Sequence, residues 1–332
     1  MIALFTPIHC SKDSMDRLPA VIIIPIGMSK LWGRRMVEVI GIGALNIDKL
    51  YLVELIGAAG EEVGVYSVSE QPGGSAANTI AALTRLGIKT GFIGRVGDDA
   101  DGAYLRSEMV KEGVDTRGIE VARGRTGSAI VLVDPGGERS MYVHPGVNDA
   151  ISLTPDNISY AKSARYLHLS SFVGENVIDV QSKILDRSKA EISFAPGMLY
   201  VRRGLDALKE IISNARVVFL NRDEIEMLTK SGYREGAGEL NEVGAEIVVV
   251  TLGGDGCYIR TSDAEVSIPS FAVRVVDTTG AGDAFCAGFL YGLLNDEPLG
   301  VCGRLGNFVA AKCIGAVGAR EGLPRKIEIA EK

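Results

Sequence analysis

Cysteine, histidine and long apolar runs are all scarce in this chain, and each shortage removes a class of function. The five cysteines, Cys10, Cys257, Cys286, Cys302 and Cys313, are odd in number and include no C-x-x-C pair. Neither a zinc knuckle nor a disulfide framework is suggested, and a reducing cytoplasm is the expected compartment. Most of these thiols are read as small buried hydrophobes. His144 and His168 lack metal-binding spacing and are read as ordinary core or lid residues. The most membrane-like stretch, AVIIIPIGM at 20–28, is about half of the roughly 20 residues that span a bilayer, and it contains Pro25. As a secretion signal it would follow a long leading region carrying Asp13 and Asp16, with no clear small-x-small cleavage site after it. No P-loop of the form G-x-x-x-x-G-K-S/T occurs, so a bound nucleotide triphosphate would be held without that lysine. Basic excess is missing too: 42 acidic against 35 basic residues leave a net charge of -7, which disfavours tracking a phosphodiester backbone. Neither nucleic acid nor a membrane is expected as partner. Internal repeats and low-complexity tracts are also missing.

What is present is core-forming capacity. At 332 residues, 46% hydrophobic and 23% charged, the chain can bury a full core and is long for one compact unit, so one large domain with an appendage, or two domains, is expected. MVEVIGIGALNID at 36–48 reads as the opening strand of an α/β domain, which leaves 1–35 as an N-terminal extension and 36–332 as the domain. From there β-branched runs alternate with amphipathic segments: VEVIGIG, AANTIAALTRLG, KTGFIGRVG, DGAYLRSEMVKEG, and later ARYLHLSS, EISFAPG, ARVVFLN and AEIVVVTLG. Such alternation predicts strand–helix–strand units around a mainly parallel sheet. Ala76, Ile80, Leu83 and Leu86 recur at helical spacing, and Gly87 follows as a stop. Two stretches break the rhythm, about 49–71 and 124–145, the second a hairpin around Pro135-Gly136-Gly137. They predict a small antiparallel sheet inserted at one edge, able to cover a site.

The most chemical stretch is VVDTTGAGDAFCAGF at 275–289, with FAVRVVD expected as a strand and AGDAFCAGFLYGLL as a helix. Glycines at 280 and 282 let the backbone approach a ligand, and the free amides of Gly280, Ala281, Gly282 and Asp283 sit at the positive end of the helix dipole. That is an anion cradle, with Asp283 beside it to take a proton from a hydroxyl attacking phosphorus.

The run DTTGAGDAF resembles the C-terminal signature of the ribokinase-like (PfkB) carbohydrate kinases, and QPGGSAANTIAALTRLG at 71–87 is similar to the family's Gly-Gly signature. The resemblance extends from about Val37 to about Gly318. It implies a ribokinase-like α/β fold: a central, mainly parallel sheet flanked by helices, with a small inserted β-sheet lid. Carried over residue by residue, it makes Asp283 the catalytic base and Gly280, Ala281 and Gly282 the anion hole. Asn46, Asp48, Gly73, Gly74 and Asn78 would hold sugar hydroxyls. Spacing agrees for Asn46 and Asp48, which stand two apart on an emerging strand and point the same way. Asn221 and Glu224 in FLNRDEIEMLT resemble the family's Asn-x-x-Glu element, implying Mg²⁺ organised through water, although a capping interaction is the alternative. Thr251, Gly253 and Gly256 resemble the nucleotide-side loop, and Asn307 lies where the family contacts adenine. Asp277 and Thr279 would take part in a K⁺ site, with carbonyls around 316–319, or Asp277 would simply tie the turn.

Together these imply ATP-dependent phosphoryl transfer to a primary hydroxyl of an unphosphorylated sugar or nucleoside. Ribose or a nucleoside leads, with fructose and ketodeoxygluconate as alternatives, and a homodimer through the lid is the expected assembly. Lys49 is the one basic residue in 49–71, which argues against a phosphorylated acceptor. Arg95 and Arg139 are further candidates for touching substrate or phosphate. A dinucleotide-dependent oxidoreductase would read GIGALN as its fingerprint, but Asn46 stands where that motif needs Gly or Ala. A catalytically silent sugar-binding regulator is the remaining reading from another class.

Overall fold

The computed structural model describes residues 37–136, 138–185 and 187–325. The extension at 1–35, with Cys10 and the apolar run at 20–28, lies outside the described residues, as does Gly137. In chain order the strands are β1 (Val39–Ile42), β2 (Asn46–Val53), β3 (Val65–Gly73), β4 (Thr90–Gly97), β5 (Asp115–Ala122), β6 (Gly127–Val133), β7 (Arg139–His144), β8 (Tyr166–Ser170), β9 (Glu191–Ala195), β10 (Ala215–Asn221), β11 (Ile247–Thr251), β12 (Cys257–Arg260) and β13 (Glu265–Ile268). The helices are α1 (Ser75–Arg85), α2 (Ala100–Glu112), α3 (Pro155–Ala161), α4 (Asn176–Leu185), α5 (Gly197–Val201), α6 (Leu205–Ser213), α7 (Arg222–Thr229), α8 (Tyr233–Val243), α9 (Ala281–Leu294) and α10 (Leu299–Cys313).

Nine strands form the main sheet in the order β13-β12-β11-β10-β9-β8-β1-β4-β5, parallel except for the antiparallel β11–β12–β13 edge. Helices cover both faces. Ile80 of α1 and Phe285, Phe289 and Leu293 of α9 pack on one side; Ile178, Ile211, Ile225 and Leu240 of α4, α6, α7 and α8 pack on the other. Strands sandwiched in this way lose their polar face, which is why VIGI, YLHLS and IVVV are buried without alternation. Each large apolar side chain so enclosed contributes roughly 1.5–3 kcal/mol. His168 is fully buried here, its Nδ1 2.9 Å from Ser193 Oγ, and burial pushes its pKa down to about 4. It is a core residue, and His144 belongs to the lid.

The helix boundaries follow local chemistry. Asp99 caps α2 by accepting from the Gly102 amide at 2.9 Å, and Gly113 ends it at φ 91°. Helix α1 stops at Leu86, and Gly87 follows in the left-handed region at φ 89°.

A second sheet, β3-β2-β6-β7, stands over the carboxyl edge of β1. Its two hairpins, β2–β3 and β6–β7, are antiparallel as expected, but the seam between them is not: β2 and β6 run parallel, Asn46 opposite Gly127 and Leu52 opposite Val133. The cause is topological, because α1, β4, α2 and β5 carry the chain through the main domain before β6 begins. A second expectation also changes. FAVRVVD is not a strand: Val273, Val275 and Val276 are exposed, and the amides of Val276 and Asp277 donate to Ile314 O. The segment leaves the β13 edge and follows the end of α10, so no neighbouring strand is available to pair with it.

Candidate active site

Two chain crossings meet above the middle of the sheet. One is the turn from β3 into α1; the other is the turn into α9. Gly74 occupies the N-cap of α1 at φ 106°, and Gly73 lies opposite Asn46 in the lid register. A Cβ on Gly73 would stand 2.1 Å from the Asp48 carboxyl group, so the missing side chain is the space in which that carboxylate lies. Asn46 and Asp48 are both buried and project to one side of β2. Asn46 Oδ1 accepts from Asn148 Nδ2 at 2.9 Å, and Asn148 Oδ1 accepts from the Leu45 amide at 3.1 Å. Burial pushes Asp48 up to about 7, with Arg320 opposing the shift and Asp283 adding to it.

Gly280 caps α9 at φ 76°, where a Cβ would meet Ala319 Cβ at 2.5 Å. At Gly282 the reverse holds: a Cβ would meet nothing within 4 Å, so the first turn of α9 faces open space. The Gly282 and Asp283 amides, in that first turn, have no intrahelical acceptor. The Ala281 amide already donates to Thr278 O at 3.3 Å, so it is the weakest of the three expected anion-hole donors. Asp283 itself is held by α1: Ser75 Oγ donates to its Oδ1 at 2.7 Å and Asn78 Nδ2 to its Oδ2 at 3.0 Å. Burial raises the Asp283 pKa, while those two hydrogen bonds and the charge of Arg320 pull it back. Ser75 was not singled out from sequence, although it lies inside the Gly-Gly motif. Arg320 was missed as well: it is buried, and its Nε donates to Asn78 Oδ1 at 2.9 Å.

A cavity of about 120 Å³ opens next to Asp283, lined among others by Ser75, Asn221, Glu224, Thr251 and Gly282. Asn221 and Glu224 form a reciprocal capping box on α7: Asn221 Oδ1 accepts from the Glu224 amide at 2.8 Å, and Glu224 Oε2 from the Asn221 amide at 2.9 Å. Asn221 is thus used by the helix, while Glu224 keeps Oε1 for a ligand. Burial raises the Glu224 pKa, against the Asn221 amide, and the Asp283 charge adds to the rise. Among the described residues no group of three His, Cys, Asp or Glu side chains could hold a metal ion. A single carboxylate facing a phosphate-sized cavity nevertheless fits Mg²⁺, which takes one or two protein carboxylates and completes its shell with water and phosphate.

Thr251 ends β11 on the cavity wall, and Gly253 and Gly256 form the turn after it, at φ 58° and φ 94°. A side chain at Gly253 would point into open space. Asn307 is different: it is buried, and its Nδ2 donates to Ile268 O at 3.2 Å and Pro269 O at 3.0 Å, so its amide group fastens the segment after β13.

Asp277 ties its own loop. Its Oδ1 accepts from the amide and hydroxyl of Thr279 at 2.8 and 2.7 Å, and its Oδ2 from the Gly318 amide at 2.8 Å. Burial works against ionisation, but these donors, together with Arg139, outweigh it and hold the carboxyl below its usual range. Arg139 Nη1, reaching from the lid, donates to Thr279 Oγ1 at 3.1 Å. Three of its roughly four lone-pair directions are thus taken, and the Arg139 guanidinium lies alongside the Thr279 hydroxyl. Arg95 pairs with Glu120 at 2.9 Å and donates to Ala150 O, away from these groups.

The whole region corresponds to a known sequence family. Residues 36–326 match the pfkB family carbohydrate kinase model. An uncharacterized sugar kinase of Archaeoglobus fulgidus is 47% identical over 249 residues, covering 74% of this chain and 99% of that protein. An ATP-dependent ribose-1-phosphate kinase of Halopiger xanaduensis is 32% identical over 286 residues, 86% of this chain and 94% of that one. The fold matches that of Arabidopsis thaliana ribokinase, solved with ribose and ATP, at a TM-score of 0.79 and 22% identity over 89% of this chain and 97% of that chain. Family model, relatives and fold agree: the chain belongs to the pfkB family of carbohydrate kinases.

Proposed function

We propose that this sugar kinase transfers the γ-phosphoryl group of ATP to a primary hydroxyl of an unphosphorylated sugar or nucleoside, with Asp283 as the base. The observation that carries the reading is the placement of the Asp283 carboxylate at the open N-terminus of α9, between the cavity and the buried Asn46–Asp48 pair. The acceptor's hydroxyls would hydrogen-bond to Asn46 and Asp48 under the lid, which orients one of them toward Asp283. As the acceptor oxygen bonds to the γ-phosphorus, its proton passes to the Asp283 carboxylate. The bond from that phosphorus to its bridging oxygen breaks, and ADP leaves. The Gly282 and Asp283 amides, with the Gly280 turn before them, face the charge on the transferring group. Mg²⁺, when bound near Glu224 with the phosphates, supplies positive charge for the same purpose. The lid excludes water, which would otherwise compete as acceptor.

An unphosphorylated acceptor is supported by Lys49, whose charge is already paired with Glu70 at 3.1 Å on the lid. The relative named as a ribose-1-phosphate kinase favours a second reading, a phosphorylated pentose. ATP consumption measured against ribose, ribose 1-phosphate, fructose, ketodeoxygluconate, adenosine and cytidine separates them. Turnover with Asp283→Asn should fall by a factor of about 10³ or more while acceptor binding persists. Activity within tenfold of the parent would remove Asp283 as base, and no turnover with any acceptor would favour a sugar-binding regulator.

The lid supports a further part of the proposal, a homodimer. Tyr66, Val68, Ile130 and Tyr142 are all exposed and project from the side of the second sheet opposite Asp48. A second copy of the same face would cover them. The four described cysteines are free and buried, as a reducing cytoplasm permits.

A further inference from the structure

Arg320 is the buried charge that the phosphoryl-transfer scheme leaves unexplained. It is 7% exposed, and its Nη2 has no hydrogen-bond partner among the described residues. Burying a guanidinium is costly, and a structural arginine normally offsets that cost by satisfying all its donors. An incompletely satisfied one calls for another reason. Its surroundings supply one. The backbone carbonyl of Arg320 accepts from Arg85 Nη1, and Arg85 is itself clamped by Glu112 through contacts of 2.6 and 2.8 Å, so the residue is pinned from α1 and α2. From that anchor its Nε reaches Asn78 Oδ1, and the other end of the same amide, Nδ2, reaches Asp283 Oδ2.

The chemistry of the two ends decides which way the amide lies. Arginine only donates and an ionised carboxylate only accepts, so the Asn78 oxygen must face Arg320 and its nitrogen must face Asp283. We propose that Arg320 is a positioning residue for phosphoryl transfer, holding the Asn78 amide in the orientation that presents its nitrogen to Asp283. The inference rests on Asp283 as base. It extends that reading by giving the base a support of two linked residues on one oxygen, while Ser75 alone serves the other. Without the Arg320 donor, Asn78 Oδ1 loses its partner, the amide is free to turn, and Asp283 loses both a hydrogen bond and a nearby positive charge.

The charged and titratable groups around Asp283 set the sign of the expected pH effect. Asp48 of β2 and Glu224 of α7 interact with it as like charges; Cys286 of α9 and Cys313 of α10 are neutral thiols whose pKa values burial raises; Arg320 supplies the positive charge. Removing that charge leaves only negative neighbours, so Asp283 should protonate at higher pH.

The test is steady-state kinetics across pH for Arg320→Gln, Arg320→Lys, Asn78→Ala and the double variant Asn78→Ala/Arg320→Gln, with thermal unfolding recorded for each. For Arg320→Gln we expect kcat to fall about thirtyfold with acceptor KM within about threefold, and the acidic limb of the kcat profile to move up by at least about half a pH unit. Arg320→Lys, which keeps the charge, should return most of that limb shift. In the Asn78→Ala background, Arg320→Gln should still move the limb through its charge but should lower kcat much less than it does in the parent, because the relay is already broken. A variant with raised KM, lowered Tm and an unmoved limb would overturn the proposal, leaving Arg320 as a neutraliser of Asp48 and Glu112. So would additive losses in the double variant, a measurement available even if Arg320→Gln alone is poorly folded, because the Lys replacement enters the same cycle. Asp283→Asn distinguishes the two levels. If it retains activity the base assignment fails; if it is inactive while the Arg320 variants keep the parental limb, only the relay fails.

Discussion

Asp48 shows how a single residue can link stability, binding and pH. Burial away from water pushes its pKa from the ordinary 3.8 up to about 7 in the free protein, with Arg320 opposing the rise and Asp283 adding to it. A carboxyl group whose folded pKa exceeds the unfolded one stabilises the fold fully below about pH 3.8, and that contribution is lost as pH rises through about 7. Over the three units between, the free protein should lose on the order of 4 kcal/mol from this group. Acceptor binding should run the other way. A carboxylate accepts hydrogen bonds from sugar hydroxyls better than the neutral acid does, so acceptor KM should rise up to tenfold per unit below about pH 7. Asp48→Asn should flatten that profile; the same slope in the variant would assign the titration elsewhere. Much of this residue-scale chemistry was legible because it sits in short motifs: Asp48 two after Asn46, Asp283 three after the glycine cap. Arg320 was not legible. An arginine after Gly318-Ala319 carries no local mark of burial; only the packing of α1, α2 and the chain after α10 encloses it. Asn307 and Asn221 show how little a motif says about an amide, since one that fastens a turn or caps a helix reads the same in sequence as one that meets a ligand.

Among the elements, the lid strand β7 makes the most telling contact. Arg139 is exposed, yet it crosses from the lid to Thr279 in the loop that Asp277 ties together. One partly hydrated hydrogen bond of this kind is worth about 1 kcal/mol. Arg139→Ala should therefore lower acceptor kcat/KM by about fivefold and raise ATP hydrolysis relative to transfer, since the lid would close less completely. Coupled kinetics with and without acceptor would measure both, and an unchanged ratio would make the contact incidental. Helices α1 and α9 were foreseen within a residue or two, because helical spacing and glycine punctuation are local signals. The segment FAVRVVD was misread as a strand for the converse reason. Its valines are β-formers, but a strand needs a neighbour, and sequence does not show where the sheet ends.

At the scale of the molecule, the outward face of the lid makes a prediction about mass. If Tyr66, Val68, Ile130 and Tyr142 are covered by a second copy, light scattering should give about twice 35.2 kDa at micromolar concentration. Tyr142→Glu should halve that mass without altering the main-domain fold, and a parent that is monomeric at high concentration would refute the dimer. The broad architecture was readable from alternation alone, whereas the parallel seam of the lid was not, because nothing local distinguishes β2 beside β6 from β2 beside β7.

That seam also bears on how the chain acquires its shape. Each lid hairpin can close on its own turn, but β2 and β6 meet in parallel only after the intervening α1, β4, α2 and β5 have brought Asn46 and Gly127 together. Closing so long a loop is slow and entropically expensive. The second sheet is therefore completed after the main one. In pulse-labelled refolding, seam amides should gain protection later than those of β1 and β4, so a newly made chain would hold its core before it can hold a sugar.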